Sequence, residues 1–200
     1  KLVLKRAELM QDAVPENEGA MAAILGLDDD VVIDICLKNS NNQTLEAVNF
    51  NSPGQVVVAG TKAVVEASLN HFKDAGAKRA IIVPVSVPSH CSLMKPASIK
   101  FKEYLNGVVF KLPNFPVIQN YQAVSYNETE MIKDALVLQI FNPVRWTETI
   151  KNLSRKEVGI FVESAPGKIL TGLNKRINRD ASHTSVDSVE SANQFLLQIK

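Results

Sequence analysis

A chain of 200 residues with 46% apolar side chains and a mean hydropathy near zero has the makings of an ordinary globular protein with a sizeable core. Its 22 basic and 21 acidic residues balance to a net charge of +1 with no basic block, so nothing calls for a nucleic acid or an anionic membrane as partner. Cys36 and Cys91, the only two cysteines, lie far apart without metal-ligand spacing, the pattern of reduced thiols in a cytoplasmic protein. No stretch of about 18 apolar residues and no signal-peptide pattern is present, so the N-x-S/T triplets at Asn42, Asn127 and Asn152 read as chance.

Lys1 to Val14 predicts an amphipathic helix stopped by Pro15. At 100° per residue Leu2, Val3, Leu9, Met10 and Ala13 share one face and Lys1, Lys5, Glu8 and Asp12 another, with Arg6 inside the apolar arc. The chain starts without a methionine and already within this helical period, so we expect it to be a piece of something longer. Next come an expected strand at 19–26, a helix at about 28–38, strands at about 45–51 and 55–59 joined by the turn Ser52-Pro53-Gly54, a helix at about 62–75 and a strand at 79–85. The order βαββαβ predicts a ferredoxin-like split unit over 19–85. Beyond it, helices at about 94–106, 129–140, 147–154 and 168–178 alternate with strands at 116–120, 158–163 and 183–187, and a last helix starts near 188. That alternation argues for a parallel α/β sheet. The expected organisation is therefore an α/β body made of residues 1–18 and 86–200 with the 19–85 unit inserted.

Few side chains stand out as chemistry. His90 follows the apolar run Ala80 to Pro88 and precedes a helix, a place that holds an imidazole rigidly yet accessibly, as a general base requires; the alternative is a satisfied loop histidine. His71 at the edge of a helix face and His183 in a polar run read as structural or surface residues. Arg6 on an apolar face needs an anion, met either by an intramolecular carboxylate or by a substrate carboxylate gripped through two parallel hydrogen bonds. Gln139, within the apolar run Ala135 to Phe141, needs internal partners. Asn49 and Asn51 serve either the adjacent turn or a polar substrate. Pro166-Gly167-Lys168 fails the phosphate-loop pattern because Ile169 follows the lysine, and no G-x-G-x-x-G, H-E-x-x-H or G-x-S-x-G occurs. Ser89 and Ser92 lie beside His90 in sequence, but neither sits on a strand-to-helix elbow, which argues against either as nucleophile.

The stretches Leu9 to Pro15 (LMQDAVP), Gly19 to Gly26 (GAMAAILG), Asn49 to Val57 (NFNSPGQVV), Ser86 to Met94 (SVPSHCSLM), Phe141 to Trp146 (FNPVRW) and Pro166 to Leu173 (PGKILTGL) resemble, in order, the malonyl-CoA:acyl carrier protein transacylases of type II fatty acid synthesis and the related acyltransferase domains of polyketide synthases. The resemblance runs from about Arg6 to the end. It implies an α/β-hydrolase-like body, incomplete here, with an inserted ferredoxin-like βαββαβ subdomain, and transfer of malonyl from malonyl-CoA to the phosphopantetheine thiol of acyl carrier protein through a seryl acyl-enzyme. His90 is then the base, Gln139 orients it through its backbone carbonyl, Arg6 clamps the malonyl carboxylate and Asn51 lines the substrate site, with no metal or redox cofactor. Two departures stand out. Ala165 replaces the family's usual glycine, and the family's G-x-S-x-G elbow and glutamine-containing glycine loop fall upstream of Lys1, so this chain alone is expected to be inactive. The alternatives are a polyketide synthase acyltransferase domain and a non-catalytic acyl carrier protein or CoA-binding module, for which Lys168, Lys175, Arg176 and Arg179 offer a basic docking patch toward an acidic carrier.

Overall fold

A computed structural model describes residues 1–198. The chain divides into two compact units, Lys1–Trp146 and a second that begins at Thr147.

The first unit opens on α1 (Leu2–Gln11), which buries Leu9 and Met10 and stops three residues short of the predicted end, where Asp12 takes the C-cap position ahead of Pro15. There follow β1 (Gly19–Leu25), α2 (Asp29–Asn39), β2 (Leu45–Ser52), β3 (Gln55–Thr61), α3 (Lys62–Asp74) and β4 (Arg79–Val83), each within about two residues of the expected range. The four strands form one sheet in the order β2-β3-β1-β4, antiparallel throughout. Gly54 supplies the positive φ, 71°, that lets the Pro53-Gly54 turn close the β2–β3 hairpin. The two-residue period of β1 sends Ala20, Ala22 and Ile24 into a core with Val32 and Ile35 of α2 and Val64, Val65 and Phe72 of α3. A fully buried side chain such as Phe72 contributes about 2 kcal/mol to this core. Met21 turns the other way and packs with Val48, Ala59 and Cys91, so the opposite face of the sheet receives the loop that carries His90.

After that loop a single 3-10 turn, Ser92–Met94, leads into α4 (Lys95–Asn106). Leu9, Met10, Met94, Phe101, Leu105, Val137 and Ile140 make a second core, joining α1, α4 and the end of α5 (Thr129–Leu138). Between α4 and α5 the expected 116–120 strand shrinks to β5 (Ile118–Gln119), which pairs antiparallel with β6 (Val124–Ser125), an element absent from the sequence reading. Pro113 and Pro116 remove backbone donors just ahead of β5, so the ladder stays short and the run joins no parallel sheet.

The second unit takes most of α6 (Trp146–Arg155) and continues through β7 (Ile160–Glu163), α7 (Ile169–Ile177), β8 (Ser182–Ser185) and α8 (Val189–Gln198). β7 and β8 run parallel, from Ile160 opposite Ser182 to Glu163 opposite Ser185, with α7 as the crossover. The parallel pairing expected from the strand and helix alternation is thus realised here as two strands. Glu163 closes β7 and accepts hydrogen bonds from Leu170 N (3.0 Å), Thr171 N (2.8 Å) and Thr171 Oγ1 (2.7 Å), which satisfies the first turn of α7 and holds the carboxyl below its usual pKa. No helix among the described residues is long and apolar enough to cross a membrane.

Candidate functional site

His90 sits in the loop between β4 and the 3-10 turn with φ at +67°, a left-handed conformation that costs a side-chain-bearing residue energy unless its surroundings impose it. Two hydrogen bonds to the end of α5 help to hold it. The His90 backbone N donates to Ile140 O at 3.1 Å, and Nδ1 lies 2.7 Å from Gln139 O. Because a carbonyl can only accept, Nδ1 carries the proton, which leaves the lone pair of the neutral ring on Nε2. No side chain among the described residues is hydrogen-bonded to Nε2, and the Asn142 backbone stands beside the ring. Burial lowers the His90 pKa, the Gln139 carbonyl and the Asn142 backbone oppose that shift, and the charge of Arg6 adds to it. Burial thus favours the neutral ring, which is oriented through Nδ1 and carries its lone pair on Nε2.

Arg6, on α1, is half-buried, and that burial lowers its pKa from the ordinary guanidinium value. Ion pairs among the described residues join Lys5 to Glu8, Lys38 to Asp34, Lys102 to Asp134 and Lys133 to Glu130. None reaches Arg6, so no ion pair among the described residues accounts for this cation. Its influence on the His90 pKa puts the cation in the neighbourhood of the imidazole. A partly desolvated guanidinium beside a neutral base is an arrangement that attracts an anionic ligand.

Gln139 takes the C-cap position of α5, where its own N donates to Ala135 O at 3.0 Å. Its contribution is the main-chain carbonyl; the side-chain amide makes no hydrogen bond among the described residues, so the internal partners expected for it are not found there. The chain beyond Gln139 is laced to β2, with Val144 N donating to Val48 O at 2.8 Å and Phe50 N to Val144 O at 2.9 Å in an isolated parallel bridge at Asn49. Asn142 Nδ2 ties the same segment to Leu138 O at 2.8 Å. This lacing brings the strand that carries Asn49 and Asn51, both half-buried, to the segment that orients His90.

The remaining candidates fall outside this cluster. Ser92 Oγ donates to Glu46 Oε1 at 2.5 Å and lies 3.3 Å from Thr44 Oγ1, so its hydroxyl is committed away from His90. His71 is exposed on α3, and His183 stacks on Phe161 with Nε2 2.6 Å from Asn178 O. Lys168, Lys175, Arg176 and Arg179 are exposed in the second unit. Glu46 was missed by the sequence reading, because one carboxylate in an alternating strand gives no signal. Cys36 and Cys91 are buried free thiols, each pushed up to about 12 by burial, which makes them inert rather than nucleophilic. No group of three metal-ligating side chains occurs among the described residues.

Comparison with known proteins gives a consistent answer. No family model matches the chain. A Haemophilus influenzae malonyl CoA-acyl carrier protein transacylase is 47% identical over 193 residues, which is 96% of this chain and 62% of that protein. The Escherichia coli K12 protein of the same name is 49% identical over 177 residues, covering 88% of this chain and 57% of the relative. Among solved structures, an acyl carrier protein S-malonyltransferase from Vibrio cholerae superposes with a TM-score of 0.95 at 46% identity, over 97% of this chain and 63% of that one. A malonyl-transacylase in complex with a type II PKS acyl-carrier protein matches with a TM-score of 0.97 at 47% identity, over 98% and 64%. The chain thus spans about three fifths of the length of the relatives it matches.

Proposed function

We propose that this chain, a homologue of the malonyl CoA-acyl carrier protein transacylases in sequence and fold over nearly its whole length, supplies the base and the carboxylate clamp of a malonyl transferase. The observation that carries the reading is a half-buried Arg6 with no ion pair among the described residues in the neighbourhood of His90, whose Nδ1 is fixed on Gln139 O.

A serine hydroxyl from outside these 200 residues attacks the malonyl thioester of malonyl-CoA while His90 Nε2 takes its proton; the proton then goes to the departing CoA sulfur. In the second half the phosphopantetheine thiol of acyl carrier protein gives its proton to His90 Nε2 and attacks the malonyl-serine ester, and the returning proton restores the serine. Arg6 holds the distal malonyl carboxylate through both halves by two parallel charge-assisted hydrogen bonds. Asn51 lines the substrate site. Exchange between a thioester, an oxygen ester and a second thioester is redox-neutral and balanced by one shuttled proton, so this chemistry calls for no metal or redox cofactor. The same reading makes residues 1–18 and 86–200 part of an α/β-hydrolase-like acyltransferase body and 19–85 a ferredoxin-like insert, which the separate cores on α2/α3 and on α1/α4/α5 support. It places the enzyme in the cytoplasm, where two buried free thiols persist.

The rival module that only binds a carrier protein or CoA gives no role to a histidine whose Nδ1 is fixed on a carbonyl so that its lone pair sits on Nε2, whereas a general base uses that arrangement. A polyketide acyltransferase domain would share the site and differ in acyl preference. Incubating the complete protein with malonyl-CoA and with acetyl-CoA, then measuring intact mass, tests the reading: a malonyl ester on serine in preference to acetyl supports it, and no acyl adduct from either donor defeats it.

A further inference from the structure

The loop that carries His90 is gripped from two sides. On one side stand the main-chain carbonyls of Gln139 and Ile140. On the other, two residues along the loop, the Glu46 carboxylate reaches out of β2 to Ser92. Ser92 N lies 3.3 Å from Glu46 Oε1 and 3.2 Å from Oε2, Ser92 Oγ donates to Oε1 at 2.5 Å, and Thr44 Oγ1 stands 3.3 Å from the same hydroxyl. Cys91, between the two, is fully buried against Met21, Val48 and Ala59, and its Sγ donates to Pro88 O at 3.1 Å. The loop therefore has an anchor on each flank of the imidazole.

We propose that Glu46 is a positioning residue for His90, a carboxylate clamp on Ser92 that holds the loop in the left-handed turn aiming the imidazole. The inference rests on the reading of His90 as the base. Charge-assisted hydrogen bonds of this kind are roughly twice as strong as neutral ones. The side chain is also the replaceable half of the grip, since the Gln139 and Ile140 contacts are main-chain and survive any substitution there. The Glu46 contacts restrain the loop directly at Ser92, so their loss frees His90 to leave φ +67° for a relaxed conformation, and Nδ1 loses its carbonyl for part of the time.

The test uses the 15N-labelled complete protein and reads exchange of the His90 Nδ1 proton with water in the native protein, Glu46→Ala and Glu46→Gln. Ser68→Ala serves as control, because it removes a buried hydrogen bond in α3, Ser68 Oγ to Val65 O at 2.8 Å, away from this loop. Glu46→Ala should speed exchange by about 10- to 100-fold over Ser68→Ala, the factor that corresponds to losing one or two charge-assisted hydrogen bonds that hold the loop closed. Glu46→Gln, which keeps one acceptor oxygen for Ser92, should fall between Glu46→Ala and the native chain. In the complete protein Glu46→Ala should lower kcat for malonyl transfer by a similar factor and leave KM for malonyl-CoA unchanged. Exchange in Glu46→Ala no faster than in Ser68→Ala overturns the inference. A complete native protein that transfers no malonyl overturns the proposed function instead, and the exchange comparison still decides the role of Glu46.

Discussion

Arg6→Met separates a clamp from a structural arginine because the two readings give opposite signs. Met keeps an unbranched apolar stem on α1 and removes the guanidinium. That guanidinium is half-buried and has no ion pair among the described residues, so the substitution breaks no salt bridge and relieves a desolvation cost. Unsatisfied burial of a polar group costs about 1–3 kcal/mol, and with half the side chain still in water the relief is about 1 kcal/mol at most. For a chain of this size that corresponds to a Tm higher by about 2–4 °C or unchanged. For transfer, two charge-assisted hydrogen bonds to the malonyl carboxylate are worth about 1.5–3 kcal/mol each, and a partly solvated clamp retains about 3 kcal/mol of their sum. At about 1.4 kcal/mol per factor of ten, kcat/KM for malonyl-CoA should fall about 10²-fold, while acetyl-CoA, lacking the carboxylate, loses little. Calorimetric melting of the chain and donor competition in the complete protein read the two halves. A Tm drop of several degrees, or equal losses for malonyl and acetyl donors, would show that the arginine is structural.

Gln139→Ala keeps the main-chain carbonyl that orients His90, so transfer should stay within a few-fold of the native rate, whereas a side-chain role would show as a loss approaching that of His90→Ala. The lowered His90 pKa means that the folded chain refuses a proton the unfolded chain accepts near pH 6.5; stability should therefore fall on acidification from about pH 6.5 down to the folded pKa, and the fall should disappear in His90→Gln when melting is followed against pH. Transfer should likewise persist to lower pH than an ordinary histidine would permit. At Gly19, an added Cβ would lie 2.5 Å from Pro88 Cδ, and the proline ring has little room to yield; Gly19→Ala should lower the Tm and displace the His90 loop, read as a changed His90 ring resonance, while an unchanged resonance would show that the loop is held independently of β1.

The hairpin across Pro53-Gly54 and the helices of the 19–85 unit were legible because alternation, a turn pair and a 3.6-residue period coincide in the chain. β5 and β6 were not: two-residue ladders beside prolines leave no period to read. The site divides in the same way. His90 stands out as the end of an apolar strand, and Arg6 as a cation on an apolar face, but only folding shows that no carboxylate among the described residues pairs with that cation. Gln139 stands out in the sequence for its amide, while the hydrogen bond to His90 uses its carbonyl, which every residue type shares. Glu46 sends no local signal because its partner is 46 residues away in sequence.

The most direct measurement is the rate of labelled malonyl transfer from malonyl-CoA to acyl carrier protein by the complete protein carrying His90→Ala, with its Tm recorded alongside. If His90 Nε2 is the base, the rate falls by about 10²–10⁴-fold while the Tm stays near that of the native protein. Transfer at the native rate by a folded His90→Ala protein would contradict the account.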